Sequence, residues 1–147
     1  MINLKLNPKD FNDLGVNYNI REVTYHNFPK YMDEIEKCID YFNGEIKWDG
    51  MFTKSDVLER FSCGDTMYLG FNEWGVFGYV WFKRTSKGKW LYNLFVRTEF
   101  EVRNYSGTGF VSSIIKQFES DNDIYCEVDE WNEKSIKLFK KLGFQSI

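Results

Sequence analysis

The stretch NYSGTGFVSSIIKQF, residues 104–118, places a Gly-x-Gly pair directly before apolar residues that recur at helical spacing. A strand-like segment, residues 89–96, precedes it, so the order is strand, glycine loop, helix. Glycines at a helix entrance let the backbone approach a ligand, and the free amides of the first turn attract an anion. A phosphate fits there; a loop that only makes a tight turn is the alternative. The lack of a following Lys-Ser/Thr dipeptide, and Ser112 in place of a third glycine, exclude a P-loop and a dinucleotide fingerprint.

Several segments upstream of this loop carry secondary-structure signals. Alternation predicts a strand over residues 18–25, and helical spacing predicts a helix that Asn27 caps and that ends at Asn43-Gly44. Thr53 is predicted to cap a second helix. Three strand signals follow, and they predict an antiparallel meander: residues 66–71, 76–82 and 89–96. The middle strand is apolar on both faces, so we expect it to be central and covered on both sides.

Downstream of the glycine helix the sequence predicts one more strand and one more helix. The strand is Ile124–Val128, and the helix opens at Asn132 and stops at Gly143. Asn132, Ser135 and Phe139 stand at i, i+3 and i+7, so they share one helix face.

These elements predict a single domain over residues 1–147. Its class is α/β (α+β), with a mixed, mostly antiparallel central sheet flanked by helices. Residues 1–17 are polar and rich in asparagine, and we expect a loose arm or an extra edge strand there.

The composition bounds the function classes. A net charge of −3 and a pI near 5.3 argue against a broad phosphate-binding face for nucleic acid. No window resembles a membrane helix or a signal peptide, so we expect a cytoplasmic protein without membrane contact. Alanine is absent while Lys, Asn, Ile, Phe and Tyr are abundant, a bias that indicates an AT-rich genome such as that of a phage, a large virus or an AT-rich bacterium. Three cysteines without CxxC spacing predict no metal site and no disulfide framework; we expect buried small hydrophobes.

Two motifs together resemble the GNAT (GCN5-related N-acetyltransferase) superfamily. Residues 104–109, NYSGTG, resemble its R/Q-x-x-G-x-G/A pyrophosphate loop. Residues 132–144 resemble its N-x-x-A-x-x-x-Y-x-x-x-G-F motif at unbroken spacing. The order of elements is also similar, and the resemblance spans residues 18–144. It implies the GNAT fold and an acyl-CoA-dependent N-acyltransferase.

The resemblance implies that acetyl-CoA lies in an opening between the strands over residues 89–96 and 124–128. Phe95 and Val96 would offer backbone groups to the pantetheine, and Asn132 would bond the same arm. The residues expected to bind the cofactor are Phe95, Val96, Asn104, Tyr105, Ser106, Gly107, Thr108, Gly109, Asn132, Ser135 and Phe139.

The catalytic groups implied by the resemblance are a base and an acid. Glu127 lies in a segment similar to the L-E-V-x-x-x-N of GNAT enzymes that acetylate protein N-termini, where this glutamate is implicated as base; a solvated strand-end carboxylate is the alternative. Phe139 replaces the usual tyrosine acid, so the thiolate leaves unassisted or a phenol such as Tyr92 or Tyr79 substitutes. The carboxylates that could line the same mouth are Glu99, Glu101, Asp129 and Glu130.

Two further departures concern the loop and the sheet edge. Asn104 stands where the family has Arg or Gln, and Arg103 could fill that role through a one-residue bulge. The family's final β-hairpin is absent or minimal, because little chain follows Phe144. The N-terminal arm or a second subunit, as in a homodimer, could cover the edge left beside residues 124–128.

The expected function is transfer of acetyl from acetyl-CoA to an amine on a small molecule or a protein. Phe139 keeps a second reading open, in which the fold is catalytically inactive and binds CoA or a protein partner. Acylation of an amine on a nucleic acid or aminoacyl-tRNA is a third reading, and it conflicts with the acidic balance of the chain.

Overall fold

The computed structural model of the protein describes residues 1–46, 53–97, 106–118 and 122–147. Within these residues, seven strands form one sheet: β1 Ile2–Leu6, β2 Asn19–Val23, β3 Thr66–Asn72, β4 Gly75–Thr85, β5 Gly88–Val96, β6 Ile124–Val128 and β7 Gln145–Ser146. The same described residues hold four α-helices: α1 Met32–Ile46, α2 Lys54–Ser62, α3 Gly107–Ile115 and α4 Glu133–Lys141.

The strands lie in the order β2-β3-β4-β5-β6-β1-β7. Among the described strands, β5 and β6 are parallel and every other neighbouring pair is antiparallel. The predicted meander is β3-β4-β5, and residues 76–82 of β4 are all buried. The predicted fold class, a mixed and mostly antiparallel sheet between helices, is therefore confirmed.

Two apolar clusters fill the two faces of this sheet. One packs α1 and α2 onto β2–β5, and the other packs α3 and α4 onto the opposite face and onto β1 and β6. Val80 and Trp81, neighbours on β4, belong to opposite clusters, because successive side chains of a strand point to opposite faces.

Local signals place three helix ends where the sequence predicts them. Thr53 and Asp56 form a reciprocal capping box at the start of α2. Asn132 caps α4 by accepting from the Ser135 amide at 3.2 Å. Gly143 follows α4 with φ of 106°, a left-handed conformation that glycine adopts at little cost.

The start of α1 differs from its prediction. Asn27 donates its side-chain amide to the Glu22 carbonyl at 2.9 Å and accepts from the Thr24 amide at 2.8 Å, so it closes the turn after β2 instead of capping a helix. One 3-10 turn, Phe28–Tyr31, follows, and α1 then continues past the predicted stop to Ile46.

The N-terminal residues form an interior strand of the sheet, neither a loose arm nor an edge strand. β1 pairs with β6 at five positions, from Ile2 opposite Val128 to Leu6 opposite Ile124. The short β7 pairs with the other side of β1. Leu4 and Leu6 are completely buried in the cluster below α3 and α4. The N-terminal segment thus covers the sheet edge beside β6, which is the first of the two predicted coverings. The predicted homodimer stays a prediction.

Two buried hydroxyl groups of α3 hold the segment that follows β1. The Leu14 amide donates to Ser112 Oγ at 3.1 Å, and the Tyr18 amide donates to Ser113 Oγ at 3.2 Å. Ser113 Oγ in turn donates to the Val16 carbonyl at 2.8 Å. These bonds satisfy backbone groups of the N-terminal segment and explain two polar residues in the interior of an apolar helix.

We expect Leu4→Ala to lower the free energy of unfolding by about 2–4 kcal/mol, because it removes a completely buried side chain and leaves a cavity between β1 and α3. Urea denaturation would measure this. The matched control is Lys5→Ala on the same strand, whose side chain is part-exposed and lies 3.9 Å from Asp123. Its cost should stay below about 1 kcal/mol; equal losses in the two variants would contradict an interior β1.

Candidate cofactor-binding cleft

A cleft opens where β5 and β6 stop pairing. The two parallel strands are joined at Lys89 with Ile124 and at Trp90 with Tyr125. Beyond these positions no described residue of β5 pairs with one of β6. A cavity of about 180 Å³ lies between the two strands. α4 forms part of its wall, so the last helix and both strand edges face one space.

Five residues singled out in the sequence line this cleft together. They come from β5, from β6 and from the first two turns of α4 with its cap: Tyr92, Glu127, Asn132, Ser135 and Phe139. Met1 and Asn93, which sequence reasoning missed, line it as well. Met1 reaches the cleft only because β1 pairs with β6, and no local pattern signals that pairing.

The free edge of β5 presents the backbone groups of Leu94 and Val96. The Arg97 amide donates to the Phe77 carbonyl at 2.8 Å, so Arg97 points toward β4. Along an antiparallel pair the bonding direction alternates, which turns Phe95 toward β4 and turns Val96 and Leu94 toward the cleft. Val96 and Leu94 thus offer backbone groups to an extended ligand. The backbone groups of Phe95, which was predicted to bind together with Val96, face β4 instead.

The start of α3 carries the glycine loop. Ser106 caps the helix by accepting from the Gly109 amide at 3.0 Å, so that amide is already bonded. Helix geometry leaves the amides of Gly107 and Thr108 without an intrahelical acceptor. These two amides are the donors that α3 can offer to an anion.

Both glycines of the loop also have a packing role. A Cβ on Gly107 would lie 3.1 Å from the Leu138 side chain, and one on Gly109 would lie 2.9 Å from the Tyr18 hydroxyl. Gly107 lets α3 lie close to α4, and Gly109 lets the N-terminal segment approach α3 at Tyr18. A side chain at either position would force the Leu138 or Tyr18 side chain to move, so the glycines also serve packing, and binding of a phosphate would be an additional use of the same positions.

The face of α4 toward the cleft is polar at its start and aromatic below. Asn132 Oδ1 accepts from the Ser135 amide, and this bond leaves the side-chain nitrogen of Asn132 to donate to a ligand. Phe139 is buried and packs edge-on against Phe144, with ring centroids 5.1 Å apart. Phe139 therefore forms an apolar floor and offers no proton.

Tyr92 enters the cleft at a β-bulge. Phe82 pairs with Leu91 and Trp81 with Asn93, so Tyr92 is the extra residue of β5. Its ring packs edge-on against Trp81 at 4.9 Å, and Lys83 Nζ lies 3.5 Å from the ring centroid. Tyr92 is 39% exposed, so its phenol can reach a ligand.

Tyr79 is the other phenol that the sequence singles out, and it is completely buried. Burial raises the pKa of Tyr79 well above its usual value. Its hydroxyl donates to Asn93 Oδ1. Tyr79 is therefore suited to orienting Asn93, and of the two phenols Tyr92 is the one exposed to a ligand.

Glu127 is exposed and points away from the core. Cys126 and Val128 are buried on the face of α3 and α4, so alternation turns Glu127 to the other face, as predicted. Of the other acidic residues, Asp129 lines the cleft and Glu130 lies 3.8 Å from the amino group of Met1. Glu127 and Asp129 therefore give the described lining of the cleft two carboxylates, which favour a cationic ligand.

Part of the predicted pyrophosphate loop lies outside the residues that the structure describes. Asn104, Tyr105 and the alternative Arg103 lie outside the described residues, as do the carboxylates Glu99 and Glu101. Their roles stay predictions. In the part of the chain that the structure describes, no cluster of His, Cys, Asp or Glu could hold a metal ion, and no helix has the length and apolar content to cross a membrane.

The cysteines differ from their prediction at one position. Cys38 and Cys126 are buried, but Cys63 is exposed at the end of α2. Burial raises the pKa of Cys38 and of Cys126 to about 12. Cys126 is therefore a protonated thiol at neutral pH and no nucleophile, although it adjoins the cleft.

We expect a thiol reagent such as Ellman's reagent to modify one cysteine rapidly in the native protein at pH 8 and all three after denaturation. The raised pKa of Cys38 and Cys126 keeps both thiols protonated at that pH, and burial blocks access. Absorbance of the released chromophore measures the stoichiometry. Cys63→Ser should abolish the fast phase; a second fast thiol in this variant would show that one buried cysteine is accessible.

Neither a family model nor a curated protein matches the chain in sequence. Solved structures do resemble it. An acetyltransferase of the GNAT family from Streptococcus pneumoniae TIGR4 superposes with a TM-score of 0.59 at 14% identity, over 86% of each chain. An aminoglycoside acetyltransferase from an uncultured soil metagenomic sample gives 0.58 at 12% identity, over 84% of this chain and 86% of its own.

A functionally unknown conserved protein from Staphylococcus epidermidis ATCC 12228 gives a TM-score of 0.63 at 12% identity, over 99% of this chain. The chain spans 57% of the length of that protein. At such identities the likeness establishes the architecture: the chain has the fold of the GNAT superfamily.

Proposed function

We propose that the chain is an acyl-CoA-dependent N-acyltransferase that transfers an acetyl group from acetyl-CoA to an amine by direct attack. The observation that carries the proposal is the cleft between β5 and β6, where a free strand edge, the cap of α4 and an outward carboxylate face one space. The fold shared with acetyltransferases supports it.

The residues around the cleft fit such a cofactor. The backbone groups of Leu94 and Val96 on the edge of β5 have no strand partner among the described residues, and an extended amide-containing arm can bond them as a further strand. The side-chain nitrogen of Asn132 has no acceptor among the described residues and lies beside this edge. The amides of Gly107 and Thr108 can bind a phosphate at the start of α3. These residues would hold acetyl-CoA, which supplies the acetyl group as a thioester.

Glu127 supplies the base in this proposal. An amine must lose a proton to become an amide, and a carboxylate at the cleft can accept that proton directly or through one water. Glu127 lies on the rim, outside the apolar floor at Phe139, so an amine that approaches from solvent meets it. Tyr92, on the opposite wall, can donate a proton to the departing sulfur.

Calorimetric titration with acetyl-CoA tests the cofactor half of the proposal. We expect one site per chain, because the described cleft offers one free edge on β5. No binding by the wild-type chain would overturn the proposal. Binding without release of free thiol across a panel of amines would instead favour the inactive module that binds CoA, the reading that Phe139 keeps open.

Glu127→Gln should lower kcat about a hundredfold and leave the Kd for acetyl-CoA unchanged, since the amide keeps the shape but cannot accept the proton. A thiol-release assay measures the rate. The matched control is Glu130→Gln, an exposed carboxylate of the same segment that does not line the cleft. Equal rates for the wild type and Glu127→Gln across the pH range would remove Glu127 from this role.

Tyr92→Phe should lower kcat about tenfold or more, because it deletes the phenol proton while the ring keeps its contact with Trp81. Tyr79→Phe is the comparison: its hydroxyl is buried and bonded to Asn93, so we expect a loss of about 1 kcal/mol in stability and a smaller change in kcat. Rates and urea midpoints of both variants check this. A larger loss of kcat in Tyr79→Phe than in Tyr92→Phe would contradict the assignment of Tyr92 as the acid.

A further inference from the structure

A second pocket, of about 430 Å³, lies on the outward face of the sheet at the closed end of the cleft. It is bounded by β1, by the turn between β4 and β5, and by the paired residues Trp90 and Tyr125. None of the described helices contributes to its lining. At Trp90 and Tyr125 this face of the sheet therefore has no described helix over it, whereas α1 and α2 cover the neighbouring strands and the far end of β5 at Phe95.

The floor of this pocket is aromatic. Trp90 and Tyr125 are the last paired residues before β5 and β6 separate, so their side chains stand beside each other on one face. Their ring planes differ by 14°, and their centroids are 6.5 Å apart. Both side chains are only part-buried. The rings are nearly parallel and accessible, so a third ring can stack on an exposed ring face of this pair.

Glu127 connects this pocket to the cofactor cleft. Cys126 and Glu127 line both spaces. Because Glu127 points to the outward face, its carboxylate lies between the aromatic floor and the strand edges that would hold the thioester. A group bound on Trp90 and Tyr125 can therefore extend an amine past Glu127 into the cleft.

The charged side chains of the pocket restrict the ligand further. Among the described side chains that line it, Lys87 and Glu127 carry charge. Lys87 belongs to the exposed turn between β4 and β5. These side chains thus place one carboxylate where it can bind an amine and one cation where it repels a second amine.

We propose that this pocket binds the acceptor, and that the acceptor is a monoamine with an aromatic ring, the ring on Trp90 and Tyr125 and the amine at Glu127. The inference rests on the proposed acyltransferase function and adds the class of substrate. An aliphatic amine lacks the stacking contact, and a polyamine brings a second positive charge toward Lys87.

The rate test uses 2-phenylethylamine, hexylamine and spermidine as acceptors with acetyl-CoA. Wild type should show the highest kcat/KM for 2-phenylethylamine, and Trp90→Ala should lower that value about tenfold while the Kd for acetyl-CoA stays unchanged. Trp74→Ala is the matched control, because Trp74 is exposed on the distant turn between β3 and β4 and should give wild-type rates. Equal kcat/KM for the aromatic and aliphatic amines would overturn the proposal.

Lys87→Glu provides a second variant that does not disturb the sheet, since Lys87 is exposed in a turn. It should raise kcat/KM for spermidine about threefold or more relative to 2-phenylethylamine, because a repulsive charge becomes attractive. No change in this ratio at low salt would contradict the placement of the amine in this pocket.

A binding measurement without cofactor separates the two proposals. Saturation-transfer NMR with 2-phenylethylamine should show contact through the phenyl protons in wild type and in Trp74→Ala, and loss of that contact in Trp90→Ala. If acetyl-CoA fails to bind but this contact is present, the acyltransferase function is wrong and the aromatic pocket stands. If acetyl-CoA binds and the phenyl contact is absent or insensitive to Trp90, the acceptor assignment is wrong.

Discussion

The pairing of β1 with β6 is the constraint on which the site depends. A cleft between parallel strands requires β6 to leave β5 after two paired positions, and a strand that is unpaired on both sides would expose its amides and carbonyls at a cost. β1 bonds β6 along its full length and buries Leu4 and Leu6 beneath α3 and α4. The N-terminal strand thus keeps β6 in the sheet, while the other edge of β6 beyond Tyr125 has no partner among the described strands and can meet a ligand.

The elements of the fold could be predicted because their signals are local. Thr53, Asn132 and Gly143 act within one turn of their own positions, and β6 begins and ends where its alternation does. β1 could not be predicted in the same way, because Ile2 pairs with Val128 and no short-range pattern joins them. Its own residues are as compatible with an exposed arm as with a strand until the partner is known.

The residues of the candidate site also differ in whether local signals could predict them. Asn132, Ser135 and Phe139 share a wall of the cleft because helix spacing alone aligns them, so sequence reasoning found them. The bonding edge of β5 required knowledge of the bulge at Tyr92, which adds one residue to β5 opposite β4. After the bulge, each residue of β5 therefore points its backbone N–H and C=O to the side opposite to the one that unbroken alternation from Leu91 would give. That change is why Leu94, and not Phe95, faces the cleft with Val96.

The same bulge positions a phenol, that of Tyr92, in a cleft where Phe139 has no hydroxyl group. Phe139 packs against Phe144 under the cleft, where its ring completes the apolar cluster around α4. A phenol that serves as proton donor in the proposed transfer therefore comes from the β5 wall, where Tyr92 lines the cleft. The bulge turns Tyr92 out of the regular alternation and onto Trp81, which Asp65 holds by accepting from its indole nitrogen at 3.0 Å. One extra residue in β5 thus sets both the edge that can bind an extended arm and the phenol that can serve its sulfur.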